Sequence, residues 1–131
     1  MPNSKKRRAT IIYENENGIL LTRISNEPWL LPGGHAEHRE PRIIAAIREL
    51  YEETRLKAID VNYLFDYEST YYFHKVFLIN ADGIPEPSNE VSFFNYYHPL
   101  NTKIFPEISK SSLQIIQKYL EIKNAKSKKE D

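Results

Sequence analysis

Three glutamates, Glu49, Glu52 and Glu53, fall within five residues of one another in a segment whose apolar residues repeat at helical spacing. Ile43, Ala46, Ile47, Leu50 and Thr54 recur at steps of three and four, which predicts a helix from Pro41 to about Thr54 with one mostly apolar stripe. Proline suits the first helical position, because its missing N–H would have no partner there. On that helix the glutamates stand at i, i+3 and i+4, so they crowd neighbouring parts of one side. Glu49 and Glu53 flank the stripe, and Glu52 lies further round. Carboxylates this close repel one another. The helix gains nothing from them unless a cation sits among them or Arg48 and Arg55 neutralise them as a solvated acidic face. Hard divalent cations take oxygen ligands, commonly a few carboxylates plus substrate phosphate oxygens. Just upstream, Pro32-Gly33-Gly34 interrupts regular structure and leaves bare backbone that can approach a metal or phosphate closely.

The rest of the chain reads as strands and one further helix. Ala9 to Tyr13 and Ile19 to Ile24 are β-rich and are separated by an Asn17-Gly18 turn signal, so they form a predicted hairpin. Trp29 to Leu31 is a short apolar strand. Ala58 to Glu68, Tyr71 to Asn80 and Val91 to Tyr97 are further strands, with a loop over Ala81 to Asn89. Ile108 to Ile122 is a helix offering Ile108, Leu113, Ile116, Tyr119 and Leu120 for burial. Strands, helix, strands, helix imply α+β or α/β with a mixed sheet between helices. A length of 131 residues suits one domain, expected over residues 9–122, after a basic segment 1–8 and before a polar, frayed tail 123–131. Lys and Arg (18) balance Asp and Glu (18), so no global charge calls for a nucleic acid or membrane surface. Cysteine is absent, which excludes disulfides and thiolate chemistry. No apolar run approaches the roughly 20 residues of a membrane span, and no signal-peptide core follows the basic start. A cytoplasmic protein is expected.

Gly34, Glu40, Arg48, Glu49, Leu50, Glu52, Glu53 and Leu56 together resemble the Nudix box. That motif runs Gly, five residues, Glu, seven residues, Arg-Glu, an aliphatic residue, any residue, Glu-Glu, any residue, Gly, an aliphatic residue. The one departure is Arg55, where the family has Gly. The lead-in Trp29-Leu30-Leu31-Pro32-Gly33-Gly34, with Glu37, also resembles the family's. The resemblance implies a MutT-like α/β/α sandwich and a pyrophosphohydrolase acting on a nucleoside diphosphate linked to another moiety, with a nucleoside triphosphate or dinucleoside polyphosphate as substrate. It implies that Glu49, Glu52 and Glu53 would hold Mg²⁺, with Mn²⁺ able to substitute, helped by the Gly33 carbonyl. Gly34, Glu40 and Arg48 would shape the loop–helix–loop geometry.

A bound metal would polarise a phosphoryl oxygen and activate water for in-line attack. The base is open among Glu52, Glu49 and an acidic residue of the later loop, where Glu86 and Glu90 are candidates and Glu90 is also a candidate ligand. Arg23, Tyr72 and Asn101 are the candidate substrate contacts, although most aromatic residues at strand spacing belong in the core. A tyrosine about 16 residues after the box, as at Tyr71 and Tyr72, is associated in the family with dinucleoside polyphosphate hydrolases. No proline occurs between Pro41 and Pro85, which weighs against ADP-ribose. Two other readings share the fold. One is a silent nucleotide-binding domain, supported by Arg55 and opposed by the intact glutamates. The other is an RNA 5′-end pyrophosphohydrolase with Lys5 to Arg8 as its footprint, opposed by the neutral charge.

Overall fold

The computed structural model describes residues 5–130 and has an α+β architecture of two sheets and two long helices. The first four residues of the basic segment and Asp131 lie outside the described residues. The first sheet is mixed, in the order β4-β1-β6-β5. Here β1 (Lys6–Ile12) runs parallel to β6 (Tyr72–Asp82) and antiparallel to β4 (Gly33–His35), while β5 (Lys57–Glu68) is antiparallel to β6. The second sheet joins β2 (Glu14–Asn15), β3 (Gly18–Arg23) and β7 (Phe93–Tyr97), antiparallel throughout.

Alternation along β1 sorts the core into two layers. Ala9 and Ile11 face one side with Phe77 and Ile79, and pack under Ala45, Ala46 and Leu50 of α1 (Arg42–Thr54). Ile12 faces the other side with Val76 and Phe65, and packs against Ile115, Ile116 and Tyr119 of α2 (Lys110–Glu130). The mixed sheet therefore lies between the helices. Among the described residues no helix is long and apolar enough to cross a membrane.

Several expected elements are built differently. The Asn17-Gly18 turn joins β2 to β3 only, because the chain leaves the first sheet near Tyr13 and its continuation pairs in the second. The long expected hairpin is thus split between sheets. β1 starts at Lys6, so Lys6, Arg7 and Arg8 are strand residues and not a loose basic end. Trp29 and Leu30 make only isolated bridges, to Ile108 and Thr22. Gly33 and Gly34 do not merely stop a strand; they form β4 against Ala9 and Thr10. α2 continues past Ile122 through the polar residues to Glu130.

α1 also sits differently from the expected stripe. Pro41 is its N-cap, one residue before the helix proper. Ile43 and Ile47 stay 42% and 36% exposed, while Ala45, Ala46, Leu50 and Thr54 are buried. Two alanines at the contact let the helix lie close to the sheet. That rotation brings Glu49 and Glu53, and not Glu52, toward the glycines.

The helix ends at Arg55, whose backbone is left-handed (φ 64, ψ 8) and whose N–H donates to the Tyr51 carbonyl at 2.8 Å. Glycine adopts this conformation without the Cβ penalty, which is about 1 kcal/mol for other residues. The guanidinium lies over the Tyr51 ring at 5.2 Å, an exposed contact worth about 0.5 kcal/mol. Arg55→Gly is therefore expected to leave stability unchanged or raise it by less than about 1 kcal/mol. Chemical denaturation checks this, and a drop of more than that amount would contradict it.

Candidate active site

The glutamates of α1 lie beside β4. Gly34 is packed so tightly there that a Cβ on it would come within 2.4 Å of the Glu49 carboxyl carbon. Glu53 accepts the Gly33 N–H at 3.2 Å through Oε1, and Glu49 stands one helical turn before it on α1. Burial pushes the Glu53 carboxyl well above the usual range; the Gly33 N–H bond opposes the shift and the Glu49 charge adds to it. Two half-buried carboxylates thus line the same cleft, where a hard cation would relieve both repulsion and desolvation.

Glu52 is placed elsewhere. Arg48 Nη1 donates to Glu49 Oε1 and to Glu52 Oε1, each at 2.9 Å, and the Glu52 side chain remains 39% exposed. Among the described residues no three acidic or histidine side chains converge as a ready metal cage. The donor set nevertheless fits a divalent cation: two carboxylates of one helix face, with bare glycine backbone alongside. In such a set Glu49 and Glu53 would be the inner ligands, and Glu52 would need to leave Arg48 to join them.

Arg48 and Glu40 form the surrounding brace. Arg48 Nε and Nη2 donate to the two Glu40 oxygens at 2.9 Å each, and Nη2 also reaches the His35 carbonyl at 3.2 Å. Glu40 Oε1 further accepts the Glu37 N–H at 2.9 Å. The Arg48 hydrogen bonds, aided by that N–H, hold the Glu40 carboxyl down at about 2. Glu40 lies before α1, and no acidic residue stands in the helix's first turn. Glu40 ties the preceding loop to Arg48. The Arg48 guanidinium is correspondingly raised, first by Glu40.

A cleft of about 330 Å³ opens over this site, lined by Glu49, Glu53, Gly33 and Gly34 together with Arg8, His35, Asn89 and Glu90. The loop after β6 supplies Glu90 because it is pinned to the end of α1. Glu86 N–H donates to the Thr54 carbonyl at 2.9 Å, and Ser88 N–H to the Glu53 carbonyl at 3.0 Å. Of the two acidic loop candidates, Glu90 lines the cleft and Glu86 does not.

The three candidate substrate contacts are not gathered there. Arg23 donates to the Glu27 carbonyl at 2.8 Å, lies over the Trp29 ring at 5.2 Å and pairs with Glu107 at 3.6 Å. Asn101 is exposed between β7 and a 3-10 turn over Thr102–Glu107. Tyr72 stands beside His35 and His74 and borders a separate cleft of about 740 Å³, between the Ser69–Tyr71 turn and the start of α2. Sequence reasoning took Arg8 only as part of the Lys5 to Arg8 cluster, and it missed His35 and Asn89. Period-two alternation from Ala9 back to Arg8 was available for the first; His35 and Asn89 carried no local signal.

A cleft lined by paired carboxylates and glycine backbone, at a loop–helix junction on a mixed sheet, defines a class of domain suited to metal-assisted phosphate chemistry. The NUDIX domain family model matches residues 4–122, and the chain belongs to the Nudix family of phosphoanhydride hydrolases. A candidate Nudix hydrolase family member from Chromobacterium violaceum superposes with a TM-score of 0.86 at 35% identity, covering 95% of this chain and 82% of that one. A bifunctional NMN adenylyltransferase/ADP ribose pyrophosphatase from Francisella tularensis, complexed with AMP and a Mn ion, shares the fold at a TM-score of 0.71 and 21% identity, over 91% of this chain and 42% of that one. Diphosphoinositol polyphosphate phosphohydrolase 3-alpha of Mus musculus is 42% identical over 57 residues, 40% of this chain and 35% of that protein. The match thus spans about a third of that curated relative's length.

Proposed function

We propose that this chain is a divalent-metal-dependent pyrophosphohydrolase that cleaves a nucleoside diphosphate linked to another moiety, a nucleoside triphosphate or dinucleoside polyphosphate. The observation that carries the reading is the Glu49–Glu53 pair, half-buried together beside Gly33 and Gly34 in an open cleft. Glu49 and Glu53 would hold Mg²⁺, or Mn²⁺ in its place, with Glu52 and Glu90 at the edge of the same site and the Gly33 backbone beside it. When bound, the cation supplies charge stabilisation at phosphorus and makes water a better nucleophile near neutral pH. Arg48 and Glu40 keep the loop before α1 in place, so that Gly33 and Gly34 stay against the carboxylates. Glu52 can accept a proton from water once it parts from Arg48, and Glu90 can do so from the loop.

The test is release of phosphate, pyrophosphate or nucleotide from a panel of nucleoside triphosphates, dinucleoside polyphosphates and ADP-ribose, with Mg²⁺, with Mn²⁺ and with chelator. We expect turnover that requires metal and favours the first two groups. Metal-independent turnover, or none with any member, would refute the reading.

A further inference from the structure

Arg8 is the one Arg or Lys among the described residues that line the carboxylate cleft. It forms no ion pair among the described residues. Its position in β1 opposite His35 of β4 puts it on the strand wall, while Glu49 and Glu53 come from the helix wall. A guanidinium has five N–H groups in a fixed planar fork and cannot accept. Here Nε donates to Thr10 Oγ1 at 3.2 Å, and one Nη2 hydrogen goes to the Leu31 carbonyl at 3.0 Å. Both hydrogens of Nη1 and one of Nη2 remain. No buried side-chain nitrogen or oxygen among the described residues lacks a partner, so Nη1, which has none, is not shut off from solvent.

The fork is held from behind. Because Arg8 only donates, Thr10 Oγ1 accepts from it and has its own hydrogen for His74 Nδ1, 2.8 Å away. His74 then carries its proton on Nε2 and donates to Ser69 Oγ at 3.0 Å. Burial, then the Arg8 charge, lower His74 to about 4, which keeps that acceptor nitrogen bare at neutral pH. The Tyr72 ring lies 6.0 Å from the guanidinium carbon. A permanent cation fixed on two sides, with unused donors facing a cleft whose other wall is two carboxylates, is built to receive an anion. A diphosphate brings more negative charge than one divalent cation balances.

We propose that Arg8 is a phosphate-binding residue of this cleft, whose free Nη donors bind a non-bridging oxygen of the substrate diphosphate on the strand wall. The proposal rests on the pyrophosphohydrolase reading, and names a residue outside the motif that carries it.

The test is calorimetric titration of imidodiphosphate, a non-hydrolysable diphosphate, in the presence of Mg²⁺. Arg8→Met is expected to weaken binding at least about tenfold, the loss of a charge-assisted hydrogen bond. Arg8→Lys, which keeps the charge and loses the fork, falls between it and the wild type. Folded variants that bind like the wild type overturn the proposal. Should the variants not fold, nitrogen-15 spectra of the wild type decide: the Arg8 Nε–H resonance shifts on adding imidodiphosphate, or Arg8 is not a contact. Failure of imidodiphosphate to bind the wild type also overturns it. Hydrolysis of the nucleotide panel is scored separately, so an active enzyme with an unmoved Arg8 sinks only this proposal. An inactive protein with a shifted Arg8 sinks only the hydrolase reading.

Discussion

Glu53→Gln is expected to lower turnover on the best substrate by on the order of a hundredfold or more while the protein stays folded. The change keeps the shape that meets the Gly33 N–H and removes the charge a cation would need. A second signature follows from burial, which raises the Glu53 carboxyl above its ordinary value of 4.5. A group raised on folding stabilises the fold fully below its unfolded value, and that contribution is lost as pH climbs through the raised one. With chelator present, the wild-type melting temperature should therefore fall from about pH 4.5 upward through that raised value, while Glu53→Gln stays flatter. Mg²⁺ should restore the wild type at high pH and leave the variant unmoved. Thermal melts with chelator and with Mg²⁺ measure both. Near-normal turnover together with a Mg²⁺ response in the variant would remove Glu53 from the site.

Gly33→Ala and Gly34→Ala are expected to fail in opposite ways, though they are neighbours. At Gly33 φ is +148, and a Cβ would meet the Ala9 carbonyl oxygen at 2.1 Å. That oxygen belongs to the central strand and cannot step aside, so a loss on the order of 3 kcal/mol or more is expected. At Gly34 the obstacle is the Glu49 carboxylate, the far end of a flexible side chain. Gly34→Ala should thus keep most of its stability and lose metal affinity, because Glu49 swings away. Denaturation midpoints and Mn²⁺ titration separate the two. A stable Gly33→Ala, or an unfolded Gly34→Ala, would mean that β4 does not lie against β1 and α1 as described.

The two long helices and most strands are legible in the sequence because each has its own period. What the period could not convey is depth. Ile43 and Ile47 read as core, yet two alanines offered a closer approach to the sheet, and the helix turned toward them. The same rotation divides the glutamates, since spacing alone makes Glu49, Glu52 and Glu53 neighbours without saying that Arg48 would claim Glu52. The split hairpin at Tyr13 and the polar end of α2 were hidden for a related reason: pairing partners are chosen in three dimensions. Arg8 was obscured by its company, because a run of four basic residues looks like a solvated end when its last member is in fact turned inward.

The last carbonyls of α1, at Glu53 and Thr54, are the posts from which the loop carrying Glu90 hangs. Carbonyls at a helix end are ordinarily left to water. Spent on Glu86 and Ser88, they make the end of the helix and the loop a single unit of local opening. The loop's own amino acids, with Pro85 and Pro87 and few apolar side chains, have little to fold around. Its order is borrowed from the helix, and fraying of that final turn would release Glu53 and Glu90 together.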